Sequence, residues 1–360
     1  MRVAIAVNNV AALTSTWTTV HLIDAFLDAG HEVRVIEGLE IDITPAGEQI
    51  ARTWRLDPPS PGIAAVTRML QRRTARRARC PIPSCDLLLL RVNPLRPELL
   101  TFGLLAEEAG VRVVNAPAGL ARTASKSWLA TLTDVNRPKT LITRSRAAAH
   151  QFARDLKQTL IVKPMIGSGG RGVHRLPPHR PDLLDRALDQ LYYAGHIVLQ
   201  EYLPEADAGE KRLVWANGEV VGAYLRVRSA GEFRHNLKQG SAPHPCEVTE
   251  SDLALAAAMG PHLARNGIRI AGLDVIGKHL IEVNTLNPGG VHYAELLRQQ
   301  PGQRLAARIV ERLTLSDDPL SNSHAPPPLD LEHEGNSTWQ DGDAPAPAST
   351  PMSARVCPAP

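Results

Sequence analysis

The stretch GLDVIGKHLIEVNTLNPGGVHYAE, residues 272–295, constrains this chain more than any other. Two short apolar runs flank a turn at Gly277; the first carries Asp274, the second Glu282 and Asn284. Side chains alternate faces along a strand, so Glu282 and Asn284 share one face and Asp274 approaches them from the neighbouring strand. Oxygen donors on rigid strands suit a hard cation such as Mg²⁺, which keeps part of its water shell and binds phosphate oxygens as well. Spacing alone leaves a second reading open, a β-hairpin with polar residues on its solvated face.

A second stretch, LIVKPMIGSGGRGVHRL at 160–176, narrows the choice. An extended run ends in Lys163-Pro164, a loop of Gly167, Ser168, Gly169 and Gly170 follows, and another extended segment leaves it. Glycines let a backbone fold close over an anion so that its amides cradle phosphate oxygens. Gly167, Gly169 and Gly172 satisfy the dinucleotide spacing G-x-G-x-x-G, but that fingerprint opens a helix, and Pro177-Pro178 forbids one here. No G-K-[ST] ending is present, so a P-loop is excluded. A strand–loop–strand lid over a nucleotide fits best; the alternative is an ordinary hairpin with a glycine turn.

The 360 residues, 43% of them apolar, suffice for two or three packed units. A formal charge of +3 is too small to imply nucleic-acid binding. The basic run RMLQRRTARRAR at 68–79 lacks interleaved aromatics for base stacking and reads as a solvated helical face or a disordered loop. Cys80, Cys85, Cys246 and Cys357 show neither a disulfide framework nor zinc spacing, which suggests free thiols in a reducing cytosol. No signal peptide and no bilayer-spanning apolar run is evident, so a cytoplasmic protein without membrane or nucleic-acid partners is expected.

From the amino end, a strand at 2–7, a helix at 18–31 stopped by Gly30 and a strand at 32–38 predict a parallel sheet with a right-handed crossover. Residues 40–82 are less regular; a buried strand at 86–92, a helix at 98–110 and a strand at 111–117 resume the alternation. Arg91 and Asn93 fall at the carboxyl end of a strand, where open α/β sheets bind ligands. Helices are expected at 145–158 and 183–194, a strand at 196–204, and a hairpin at 211–228 turned at Asn217-Gly218. Thr249 caps a helix over 249–267, and a helix at 291–299 presents its amino end, with Gly289 and Gly290, as a carboxylate site. From about residue 316 the chain is rich in Pro, Ser, Ala and acidic residues and is expected to be disordered.

RVNPLRP (91–97), VNAPAGL (114–120), SKSWLA (125–130), IVKPMIGSGG (161–170), LQEYLP (199–204), EKRLVWANGE (210–219), GEFRHNL (231–237) and GLDVIG…IEVN (272–284) follow one another in a familiar order and spacing. Over about residues 1–315 the chain resembles the ATP-grasp carboxylate–amine ligases, most closely the bacterial glutathione synthetases. The resemblance implies an ATP-grasp α/β fold preceded by a Rossmann-like parallel-sheet domain. Its implied boundaries are a substrate domain at 1–122, a lid subdomain at 123–200, a metal-bearing subdomain at 201–315 and the tail at 316–360.

By the same resemblance Lys126 and Lys163 contact ATP phosphates, Gly167–Gly170 covers them, Glu201, Tyr202 and Leu203 form the adenine hinge, and Glu210 meets the ribose. Arg212 and Arg226 face the transferring phosphate or carboxylate. Arg91, Asn93, Arg234, Asn236, Gly289 and Gly290 bind the acid and amine substrates, and Asp274, Glu282 and Asn284 hold Mg²⁺, with Mn²⁺ as a substitute. The implied reaction couples γ-glutamylcysteine to glycine through an acyl phosphate. The family is often tetrameric, so a homo-oligomer is an option, although the sequence carries no self-association signature. Val92-Asn93 replaces the family's Lys-Asp, Lys238-Gln239 replaces a small continuation, and Asn287-Pro288 replaces a Ser-Pro. These departures favour, as the alternative, a peptide-tailoring or natural-product ligase with other substrates; a catalytically inactive nucleotide-binding regulator is the reading from another class.

Overall fold

A computed structural model describes residues 1–166, 170–191, 193, 195–229, 231–299 and 301–315. The tail at 316–360 and the loop residues Gly167, Ser168 and Gly169 therefore lie outside the described residues. The first sheet comprises β1 (Arg2–Val7), β2 (Glu32–Ile43), β3 (Gln49–Leu56), β4 (Arg76–Pro81), β5 (Leu87–Arg91) and β6 (Arg112–Val114). Its order is β4-β3-β2-β1-β5-β6. The expected parallel core is present, β2-β1-β5-β6. Helices α1 (Thr18–Asp28), α2 (Ile63–Gln71) and α3 (Pro97–Glu108) connect or cover these strands.

Where the sequence reads as irregular, residues 40–82, the structure adds β3 and β4 as an antiparallel extension of β2. The basic run divides between the end of α2 and the edge strand β4, rather than forming one helical face or loop. The edge position accounts for its charge: arginines on an exposed strand oppose pairing with another chain.

The second sheet holds β7 (Thr140–Thr143), β8 (Leu160–Pro164), β9 (His174–Leu176) and β10 (Ile197–Glu201), ordered β7-β10-β8-β9 and antiparallel throughout. It follows α4 (Pro117–Thr123) and α5 (Lys126–Thr131) and packs against α6 (Arg146–Leu156) and α7 (Pro181–Leu191). The third sheet holds β11 (Glu210–Ala216), β12 (Glu219–Val227), β13 (Ala242–His244), β14 (Ile270–Ile276) and β15 (His279–Asn284), ordered β13-β12-β11-β14-β15. Asn217 (φ 40°) and Gly218 (φ 94°) turn β11 into β12, both in the left-handed region that a tight hairpin requires. Helix α8 (Glu250–Arg265) opens with a capping box in which Thr249 and Asp252 satisfy each other's backbone amides. Helices α9 (Val291–Leu296) and α10 (Leu305–Thr314) complete the described chain.

Strand alternation assigns the cores. Val3, Ile5 and Val7 on one face of β1 join a cluster with α1, α2, α10 and, from the third sheet, Val214 and Ala216. Ala4 and Ala6 on the other face join Leu213, Trp215, Leu273 and α8 residues. The first and third sheets thus share two cores. The second sheet packs in a separate cluster built on Val162, Leu188 and Leu199.

Candidate active site

The site grows from the pairing of β14 with β15, turned at Gly277 (φ 56°), which sets Asp274 opposite Glu282 and Gly272 opposite Asn284. Asp274 is almost fully buried, at 3% exposure, and accepts four hydrogen bonds. Arg212 on β11 donates from Nε at 2.5 Å and from Nη2 at 2.9 Å, in a two-pronged fork. Arg226 on β12 donates to the same carboxylate, and Asn284 Nδ2 donates at 3.0 Å. Burial pushes the Asp274 carboxyl up, but the two guanidinium groups outweigh it and hold it below the ordinary range.

The arginines are themselves constrained. Burial opposes the Arg212 charge, but Asp274 more than compensates and raises its pKa; its Nη1 donates to the Gly289 carbonyl at 3.0 Å. Arg226 also pairs with Glu210, whose carboxyl burial pushes up to about 7 against the pull of Arg226. Among the described residues one buried donor of Arg226, Nε, has no partner, and His235 Nε2 has none either. Buried polar groups are rarely left unpaired, so these two nitrogens mark a place where a ligand completes the structure.

Two lysines enter from the other side of the cleft. Lys163 on β8 donates to Gln200 on β10 at 3.0 Å, and burial lowers its pKa despite nearby Glu282. Lys126, the first residue of α5, lies 3.6 Å from Glu282. A phosphate placed between them would relieve the desolvation that depresses Lys163.

A cavity of about 190 Å³ between the second and third sheets gathers Lys126, Lys163, Gly170, Glu201, Tyr202, Leu203, Glu210, Arg212, Arg226, Arg234, Asn236, Asp274, Glu282 and Asn284. At the hinge the Glu201 amide donates to Lys139 O and the Tyr202 amide to Thr159 O, whereas among the described residues no partner takes the Leu203 amide. Leu203, Ala206, Val173, Ile276 and Ile281 line this end with apolar surface. Arg234 donates to Gly170 O at 3.0 Å and chelates Glu232, whose carboxyl it holds down to about 2. The 231–241 segment is thereby tied to the end of the glycine loop.

Other expected residues fall elsewhere. Asn93 lines a second, adjoining cavity of about 510 Å³, whose wall includes Leu95, Trp128, Met165, Val198 and Leu286. Arg91 lines neither cavity: it is buried, donates to Thr19 Oγ1 at 3.2 Å and Pro288 O at 2.9 Å, and desolvation lowers its pKa to about 9. Gly289 and Gly290 line neither, and their segment offers carbonyls to Arg91 and Arg212 while the Val291 amide donates to Thr18. Sequence reasoning missed Arg171 and His235, which line the first cavity. It also missed Asn115, whose side chain makes four hydrogen bonds, to Ile270 O, Thr285 O and the amides of Arg269 and Ile270. Asn115 pins the end of the first sheet to the strand bearing Asp274; an isolated polar residue gives no periodic signal that would reveal this.

Residues 126–299 match the prokaryotic glutathione synthetase ATP-grasp domain. Glutathione synthetase of Parasynechococcus marenigrum is 33% identical over 235 residues, covering 63% of this chain and 74% of that protein. The chain belongs to the prokaryotic glutathione synthetase family. The Thermosynechococcus vestitus glutathione synthetase is 34% identical over 204 residues, covering 55% of this chain and 61% of its own length. In three dimensions the chain is similar to D-cycloserine synthetase DcsG, with a TM-score of 0.60, 17% identity, and coverage of 86% of this chain and 99% of that one. A RimK domain ATP-grasp protein from Sphaerobacter thermophilus gives 0.56 at 17% identity, over 86% and 98%. These two share the ATP-grasp fold. Among the described residues no helix is long and apolar enough to cross a membrane.

Proposed function

We propose that this chain is an ATP-dependent carboxylate–amine ligase that joins γ-glutamylcysteine to glycine through an acyl phosphate. The observation that carries the reading is the convergence of two lysines, two buried arginines and three oxygen donors on one cavity between two sheets. A carboxylate carbon is a poor electrophile until its oxygen carries a good leaving group. Attack of that oxygen on the γ-phosphate of ATP releases ADP and leaves the acyl phosphate; the amine then attacks the acyl carbon and phosphate departs.

Each group has a role in this scheme. Lys126 and Lys163 hold the phosphates and balance the charge that gathers during transfer. Arg226, whose Nε has no partner among the described residues, binds the oxygens of the transferring group, and Arg212 positions Asp274. The Leu203 amide and the apolar hinge wall take the adenine, and Glu210 takes the ribose. Arg234 and Asn236 bind the acid substrate near the glycine loop, which excludes water from the acyl phosphate.

The donor set fits Mg²⁺ carried in with the nucleotide. Asp274 and Glu282 supply carboxylates and Asn284 an amide oxygen, while among the described residues no three His, Cys, Asp or Glu side chains form a cage. Such a set needs phosphate and water oxygens to complete a coordination shell. When bound, held by Asp274, Glu282 and Asn284, the ion would supply positive charge that offsets the charge on the phosphates.

The position of Arg91 favours a second reading, a ligase of the same chemistry with another acid and amine. Its guanidinium is taken up by Thr19 and Pro288, while Asn93, Pro94 and Leu95 of that segment line the second cavity and not the first. The test is Mg²⁺-dependent ADP release with γ-glutamylcysteine and glycine, with the amide identified by mass. Product from that pair supports the first reading. Silence there with turnover on another acid and amine moves the chain to the second, and nucleotide binding without turnover on any pair assigns it to the regulators.

A further inference from the structure

Two thiols far from the cleft meet in the first sheet. Cys80 lies near the end of β4, and a tight turn at Ile82–Ser84, closed by the Cys85 amide on Ile82 O at 2.9 Å, brings Cys85 back to it. Their sulfurs are 3.6 Å apart. Since a disulfide spans about 2.05 Å, the pair needs to close by roughly 1.5 Å. Both are buried, at 2% and 5% exposure, but Pro81, Pro83, Ser84 and Asp86 around them are exposed, so a single surface turn covers the pair.

The surroundings favour one thiolate. The hydrogen bond between the thiols, assisted by Ser84 and by the charges of Arg34 and Arg2, lowers the pKa of Cys80, while the same bond and burial raise that of Cys85. A thiolate beside a thiol that can resolve it is the arrangement that two-cysteine oxidation requires. A metal is a poorer occupant, because among the described residues no third His, Cys, Asp or Glu completes a ligand set there.

We propose that Cys80 and Cys85 are a redox-active dithiol that a small hydroperoxide converts to an intramolecular disulfide. The Cys80 thiolate attacks the peroxide oxygen, the O–O bond breaks, and the leaving alkoxide or hydroxide takes a proton, leaving Cys80 as a sulfenic acid. The Cys85 sulfur then attacks the Cys80 sulfur, its proton leaves with the sulfenic hydroxyl as water, and the S–S bond forms. Two thiols are oxidised and one hydroperoxide is reduced to an alcohol, or to water when the oxidant is hydrogen peroxide.

The test treats the full chain with hydrogen peroxide, alkylates the remaining thiols and weighs the tryptic peptide of residues 80–91, which contains both cysteines. The expected product is that peptide lighter by two hydrogens and restored by dithiothreitol, formed roughly tenfold faster than Cys246 is oxidised. In Cys85→Ser the reaction should stop at a sulfenic acid on Cys80 that a diketone reagent traps. Both cysteines remaining alkylatable, a sulfinic acid on Cys80 without disulfide, or a crosslink to another cysteine would each overturn the proposal. The wild-type mass decides even where the variant does not fold.

Discussion

The four-stranded and five-stranded sheets line the same cavity, yet they are held in different ways. The five-stranded sheet shares its two large cores with the amino-terminal sheet and is further fixed by Asn115 and by the Arg212–Asp274–Arg226 cluster. The four-stranded sheet packs chiefly on its own helices, around Leu199, Val162 and Leu188. One wall of the cleft therefore carries prearranged charge on a rigid support. The other carries Lys163 and the start of the glycine loop on a unit whose apolar burial does not depend on its neighbours, so altering the cleft width sacrifices little core.

The contrast can be broken most severely at Asp274. Asp274→Asn should lower turnover by about 10²–10³-fold or more. It should also cost about 3–5 kcal/mol, because it leaves the buried Arg212 guanidinium without its counter-charge and Arg226 with Glu210 alone. Glu282→Gln, at a half-buried position, should lose turnover as fully but change stability by less than about 0.5 kcal/mol. Denaturant titrations beside initial rates separate the two; normal activity in Glu282→Gln would remove the metal assignment.

Next come the cores. Leu199 and Leu273 are both fully buried, and truncating either to alanine should cost about 2–5 kcal/mol. Hydrogen exchange should quicken only across residues 140–201 in Leu199→Ala but across the first and third sheets in Leu273→Ala. Equal spreading in both variants would show that the cores are coupled after all. At Lys163, replacement by Met should weaken ATP binding by about 1.5–3 kcal/mol, roughly ten- to hundredfold by calorimetry, with little change in folding.

The smallest effect concerns pH at the junction of α1 and α9, where the His21 and His292 rings lie 5.4 Å apart. Burial, and then His292, lower the His21 pKa from 6.5. The unfolded chain therefore takes up a proton at about pH 6.5 that the folded chain refuses, so stability is complete above that value and falls as pH drops below it. His21→Asn should flatten part of that slope in thermal melts between pH 5 and 7.5; an unchanged slope would contradict the assignment.

Much of this architecture was legible wherever a local pattern coincides with a local structure. The 272–284 hairpin, the strand–loop–strand at 160–176, the Asn217-Gly218 turn and the Thr249 cap all follow from period, glycine placement or side-chain chemistry. β3 was not legible because its buried positions include Gln49 and Thr53, which dilute the apolar alternation. Arg91 lies at the strand end expected to meet ligand, but its side chain is captured by Thr19 and Pro288, and the Pro288 contact spans 197 residues. The Cys80–Cys85 approach depends on a tight turn that cysteine spacing alone does not encode.

The most direct test of the account is to supply the acid substrate with heavy oxygen in its reacting carboxylate and weigh the phosphate released during turnover. An acyl phosphate intermediate predicts that each phosphate carries one labelled oxygen from the acid, and that Glu282→Gln releases none. Turnover that yields unlabelled phosphate would contradict phosphoryl transfer to the carboxylate, and with it the role given to the cleft.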